Sequence, residues 1–201
     1  MDYLIFFAAM VVGLSVVRLT YERRRIALLA GYLGRFQIEK LMATLSDGYM
    51  RALGESDPQR QQQVWDFLHP SEQALCKQFD QFAGAIAKAN EADTRVSTLP
   101  VTLPWADRLL PKASFDLRKA LAIHARGIRA AVAEHAHESS RDRAYRLSGE
   151  MFLMQHTCHW YCKSKSVASA RMWVRHKTRY AQLLQAVGTQ TARDYRALVE
   201  V

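Results

Sequence analysis

At 201 residues, 49% hydrophobic and 23% charged, the chain has the composition of one globular domain with or without an attachment segment, which excludes a largely disordered protein. Nine glycines and five prolines are too few for the many tight turns of a β-sandwich or barrel, so the expected fold class is all-α. The formal charge of +9 is lopsided: from Arg141 to Val201 eleven Lys or Arg stand against four acids, a net of +7, which suits an anionic partner such as lipid headgroups, nucleic acid or an acidic protein face.

The first element is apolar. Tyr3 to Val17 (YLIFFAAMVVGLSVV) carries no charge. A helix of that length rises only about 22 Å, short of the ~30 Å hydrocarbon core, and continuing it to Tyr21 adds roughly 6 Å. The expectation is a single-pass transmembrane anchor over residues 1–25, with Arg18 snorkelling and Arg18, Tyr21, Arg23, Arg24 and Arg25 at the membrane interface. A cleaved signal peptide fits less well, because only Met1 and Asp2 precede the run and no small-x-small site follows. A buried or interfacial helix is the remaining competitor, on length alone. The four arginines follow the span and none precedes it, so the positive-inside rule puts the N-terminus outside and residues 26–201 in the cytoplasm. Three cysteines, Cys76, Cys158 and Cys162, fit reduced thiols there better than a disulfide framework.

Beyond the arginines, Ile38, Leu41, Met42, Leu45, Tyr49 and Leu53 follow helical spacing. The anchor could run unbroken to Gly54, with Gly31, Gly34 and Gly48 as its weak points. Asp57-Pro58 starts a short helix ending near His69, and Pro70 opens another with Leu75, Phe79, Phe82 and Ile86 inward. Residues 91–111, punctuated by Pro100, Pro104 and Pro111, read as a crossover loop; Val96–Leu103 is β-like but has no evident partner, and Trp105–Leu110 suits a helical turn. Ser114 is expected to cap a helix reaching about His137, with Leu117, Leu121, His124, Ile128, Ala131 or Val132, and His135 on its apolar face. Ser139 and Asp142 resemble a capping box for a helix to Lys163, apolar at Leu147, Met151, Met154, Cys158 and Tyr161. The tight connection makes these two helices antiparallel. A helix over Val167–Val187, with Trp173, Tyr180, Leu184 and Val187 inward, and a short terminal helix complete an up-and-down cytoplasmic bundle of four to six helices.

The sequence holds no Gly-x-Ser-x-Gly, P-loop, GxGxxG or HExxH motif, and Cys76 as a nucleophile needs a base brought to it in space. His124, Cys158, His159 and Cys162 form a conceivable metal set across the antiparallel pair. Against it, Cys-x3-Cys on a helix lacks the usual zinc-knuckle geometry, and buried free cysteines ordinarily act as small hydrophobes. The Glu-x-x-His at Glu134–His137 is a single copy where di-iron bundles need two, and His124 with His135 offers a weaker pH-responsive reading. The most distinct functional signal is basic: Lys163, Lys165, Arg171, Arg175, Lys177 and Arg179 stand together with no acid among them, and Arg171, Arg175 and Arg179 repeat every four residues. A solvated helix face competes with every binding role for that stripe. The expected function is a non-enzymatic, membrane-anchored adaptor or accessory subunit of a membrane complex, with no cofactor. A tethered nucleic-acid binder using the basic helix and a metal or redox bundle protein are the alternatives.

Overall fold

The computed structural model describes residues 2–133 and 139–200. Among the described residues the fold is all-α apart from two three-residue strands, and it begins with a long apolar helix, α1 (Asp2–Leu33). This helix stops before Gly54. The Gly34 N–H closes on the Ala30 carbonyl at 2.8 Å, and α2 (Ile38–Gly54) restarts after a turn in which the Gln78 side chain accepts the Gln37 N–H.

The helix α3 (Pro58–Ile86) is capped by Asp57 as expected, but it is one helix and does not divide at Pro70. Its buried positions, Trp65, Leu68, Glu72, Leu75, Phe79, Phe82 and Ile86, form an unbroken stripe. A proline inside a helix costs about 3 kcal/mol, mainly through a lost hydrogen bond and a clash one turn back. Pro70 and Asp66 both face solvent, so water can satisfy the orphaned carbonyl while the buried stripe holds the helix together.

The crossover segment is more ordered than its prolines imply. It contains α4 (Glu91–Thr94), β1 (Arg95–Ser97) and α5 (Ala106–Leu109), then a 3-10 turn at Pro111–Ala113. The extended residues do have a partner: β1 pairs antiparallel with β2 (Ser114–Asp116), Val96 opposite Phe115. Ser114 therefore belongs to a strand, and Asp116 caps α6 (Leu117–Val132) by accepting the Arg118 N–H at 2.9 Å. Three residues with one large side chain are too short to show a strand period.

Ser139 caps α7 (Ser140–Cys162) by accepting the Asp142 N–H at 3.1 Å. Glu134, His135 and His137 lie outside the described residues. The final long helix expected from the sequence is two, α8 (Lys165–His176) and α9 (Tyr180–Ala186), followed by α10 (Thr189–Val199). Lys177 takes a left-handed conformation at φ 52° and closes α8. The break alters the phase between the two halves, and Trp173, expected inward, is 48% exposed.

Helix α7 is the hub. It packs on α1, α2, α6, α8, α9 and β1, and its buried residues fall on every side: Leu147, Glu150, Met151, Leu153, His156, Thr157, Trp160 and Tyr161. Gly149 permits one of these contacts. A Cβ there would sit 2.9 Å from the Ala186 backbone, closer than real packing allows. Gly149→Ala is accordingly expected to push α9 off α7 and cost about 1–3 kcal/mol by overpacking. Urea unfolding of the variant beside wild type measures it, and an unchanged midpoint would refute the close approach.

Candidate functional site

Two halves of α1 live in different surroundings. Residues 3–20 are all exposed, with Tyr3 at 91% and Leu4 at 75%, although the segment has a mean hydropathy of 2.0. Eighteen residues of helix rise about 27 Å, close to a hydrocarbon core. One helix is thus long and apolar enough to span a membrane. From Tyr21 onward the same helix turns a face to the domain: Glu22, Arg25 and Leu29 are buried, and Leu28, Tyr32 and Leu33 pack against the core.

The polar part of this contact is a socket for Arg25. Its guanidinium lies 4.3 Å from the centre of the Tyr161 ring, donates to the Tyr21 hydroxyl at 2.6 Å and to the Arg95 carbonyl, and is only 8% exposed. The Tyr161 hydroxyl in turn donates to the Asp93 carbonyl at 2.8 Å. Glu22 sits between Arg18 at 3.0 Å and Lys163 at 3.5 Å. A buried arginine needs this combination of π face and carbonyl oxygens, because a buried charge without compensation is strongly unfavourable. Of the expected interface residues, Arg18 pairs with Glu22, Arg24 pairs with Asp93 at 3.4 Å, Arg23 is exposed, and Tyr21 and Arg25 belong to the socket. The roles of Glu22, Tyr161 and Asp93 escaped sequence reasoning. The only local trace was the four-residue spacing of Arg18 with Glu22 and of Tyr21 with Arg25.

Two of the six cations of the basic run are engaged within the fold, and Arg179 leaves the helix that carries the others. Lys163 pairs with Glu22, and Lys165 lies over the rings of Trp160 and Tyr180 at 5.0 and 4.8 Å. Arg171 points at His159 Nδ1 at 3.1 Å. The helix break separates Arg179 from the stripe and sets it 5.5 Å from the Trp173 ring. Arg171, Arg175, Lys177 and Arg179 are exposed.

The proposed ligand residues are dispersed as well. His124 is wholly buried with Nε2 at 2.9 Å from the Thr157 hydroxyl, and not at either cysteine. Cys158 Sγ lies 3.8 Å from Met154 Sδ, with burial raising its pKa. Burial pushes the Cys162 thiol up to about 11, against Arg25, Arg171 and Lys163. His159 is held down to about 4 by burial and by Arg171 and Arg175. No three His, Cys, Asp or Glu among the described residues come together as a metal site. Burial also raises the Cys76 thiol, with Asp80 adding to the effect, so the thiolate that a nucleophile requires is disfavoured.

In their place the core holds a neutral polar network. The Thr157 hydroxyl donates to the Leu153 carbonyl at 3.0 Å, which leaves its oxygen to accept from His124 at 2.9 Å and from Tyr195 at 2.8 Å. Burial lowers both His124 and His156 to about 3, and the imidazoles are uncharged at neutral pH.

A separate groove of about 890 Å³ opens between α2 and α7 at the end away from Arg25. Met42, Met50, Leu53, Tyr145 and Phe152 are its apolar lining; Glu39 and Asp47 line it from α2, Arg141 from α7 and Arg175 from α8. Met50 and Tyr145 are 72% and 65% exposed. Compared with family models, curated proteins and solved structures, the chain matches none.

Proposed function

We propose that this is a single-pass membrane protein whose helical domain stands at the cytoplasmic face as a non-enzymatic adaptor or accessory subunit. The supporting observation is α1 itself: apolar and exposed over residues 3–20, then rigidly continued into the domain through the buried Arg25. Such a joint fixes the domain's height and angle above a bilayer, whereas a flexible linker would leave both free. Arginines after the span and none before it favour the cytoplasmic side.

The partner surface is the α2–α7 groove. Its exposed Met50, Leu53 and Tyr145 suit an amphipathic protein helix, and the opposite charges on its α2 and α7–α8 sides set that helix's direction.

The test places a photo-crosslinking residue at Met50, at Tyr145 and, as a control, at exposed Gln190 of full-length protein in its native membranes. The expected result is an alkali-resistant membrane protein crosslinked to the same protein from the two groove positions and not from Gln190. Release by alkali would overturn the anchor. A crosslinked product that is nucleic acid, with binding that collapses steeply with salt, would replace the adaptor by the tethered nucleic-acid binder.

A further inference from the structure

Beside the point where α1 enters the domain, the segment after β1 exposes an apolar surface. Val101, Leu103, Trp105, Leu109 and Leu110 are 55%, 49%, 50%, 77% and 51% exposed. These residues are fastened in place. The Thr102 hydroxyl donates to the Lys163 carbonyl at 2.7 Å, and the Ser166 N–H donates to the Pro100 carbonyl at 3.3 Å. Trp105 is held at φ 61°, a left-handed conformation uncommon outside glycine. Its ring meets Tyr21 edge-on at 6.4 Å, and Leu99, Val101 and Leu103 line a small cleft with Tyr21, Arg25 and Lys163.

Tyr21 marks the level at which the exposed apolar half of α1 ends and the packed half begins. Trp105 stands at that same level. Tryptophan and tyrosine concentrate at membrane–water interfaces, where the ring is half apolar and its polar edge stays wet. The cations nearby match an anionic surface: Arg23, Arg24 and Lys112 are exposed.

We propose that Val101, Leu103, Trp105, Leu109 and Leu110 form a second membrane contact, a wedge that lies in the interfacial layer of the same bilayer that α1 crosses. It rests on the anchor reading of α1. The occupant is lipid because the patch is continuous with the apolar helix through the Tyr21–Trp105 contact and lies at its foot. The wedge and α1 give the domain two points of attachment, which removes the rotation about the helix axis that a lone anchor permits and sets the α2–α7 groove in one direction.

Trp105 is its own reporter. Trp65 and Trp160 are buried and α1 contains no tryptophan, while Trp173 sits toward the far end of α8. Full-length protein is reconstituted into phosphatidylcholine–phosphatidylserine vesicles with acyl chains brominated near the headgroup, and fluorescence is compared with that of Trp105→Phe. Wild type is expected to be quenched by the brominated lipid and to resist aqueous iodide, and Trp105→Phe to lose most of the lipid-dependent quenching. Adding Leu109→Trp to that variant should restore it. Protein that fails to float with the vesicles would overturn the anchor and the wedge together. Floating protein whose Trp105 is quenched by iodide and not by lipid would overturn the wedge alone. Shielding from both quenchers would also overturn it, and would mean that another protein surface covers the patch.

Discussion

Replacing Glu72 with leucine is expected to lower the stability of the helical domain by about 3 kcal/mol, a large fraction of the 5–15 kcal/mol typical of a domain. Glu72 is 1% exposed and joins three helices. From α3 it accepts the Tyr49 hydroxyl of α2 at 2.7 Å, and its second oxygen lies 3.5 Å from Arg143 of α7 and 3.5 Å from His69. Leucine fills the volume but leaves a buried phenol and a mostly buried guanidinium without their acceptor, and that loss outweighs any gain in apolar packing. Glu72→Gln keeps an acceptor for Tyr49 and removes only the ion pair, so its cost should be about 1–2 kcal/mol. Tyr49→Phe should fall in the same range. Urea titration in detergent micelles reads all three, and a double-mutant cycle between positions 49 and 72 isolates the shared term. A leucine variant within about 1 kcal/mol of wild type would mean that Glu72 is not a junction of the bundle.

How much of this was legible follows from what kind of signal each element leaves. The long apolar helix α1, the capped starts at Asp57 and Ser139 and the apolar stripe of α2 leave local signals, because an apolar run, a cap or a periodic face is written within a few residues. The path of α3 through Pro70 was not legible, since it depends on which side of the helix faces water, a tertiary property. Nor was α7's position as the hub: Glu150, His156 and Thr157 lie off the apolar stripe expected of that helix, yet all three are buried at or below 1% exposure. Sequence patterning assumes that polar residues face solvent, and the assumption fails where a buried polar group finds partners on other helices, as Thr157 does in His124 and Tyr195. The basic stripe is interrupted for another reason. Its spacing assumed a continuous helix, and a left-handed Lys177 broke it where no glycine or proline gave notice.

That same polar interior gives the domain a defined pH dependence. His124 and His156 have folded pKa values lowered to about 3, in each case chiefly by burial, with neighbouring His156 acting on His124 and Lys165 and His159 acting on His156. Unfolded, each returns to about 6.5. Between those values the unfolded chain binds protons that the folded one refuses, so the stability held above pH 6.5 is lost as the pH falls toward 3.

Glu150 works in the opposite sense. Burial raises it to about 7, against the Gly188 N–H, Thr191 and Arg146. One oxygen accepts the Gly188 N–H at 3.0 Å, and the other stands beside Thr191 without hydrogen-bond geometry. A carboxyl that stays protonated in the fold up to pH 7 contributes stability below about 4.5 that disappears as the pH rises to 7. With two imidazoles opposing one carboxyl, stability should peak near pH 6.5. It should then fall by at least about 1.4 kcal/mol per pH unit down to 4.5, with His159, also lowered to about 4, adding to the slope, and more steeply below that.

Glu150→Gln separates the contributions. The amide oxygen can still accept from Gly188 and the amide nitrogen can donate to Thr191, with no charge to bury. The variant should be more stable than wild type at pH 8 by about 3 kcal/mol and equal to it at pH 4, so its loss on acidification is steeper throughout the window from 6.5 to 4.5. Urea titrations of both proteins at pH 8, 6.5, 5 and 4 give the curves. If glutamine brings the same change at pH 8 as at pH 4, Glu150 is already ionised in the folded domain and its carboxylate is solvated or paired. An acid limb unchanged by replacing His124 and His156 would remove the imidazole part of the argument by itself.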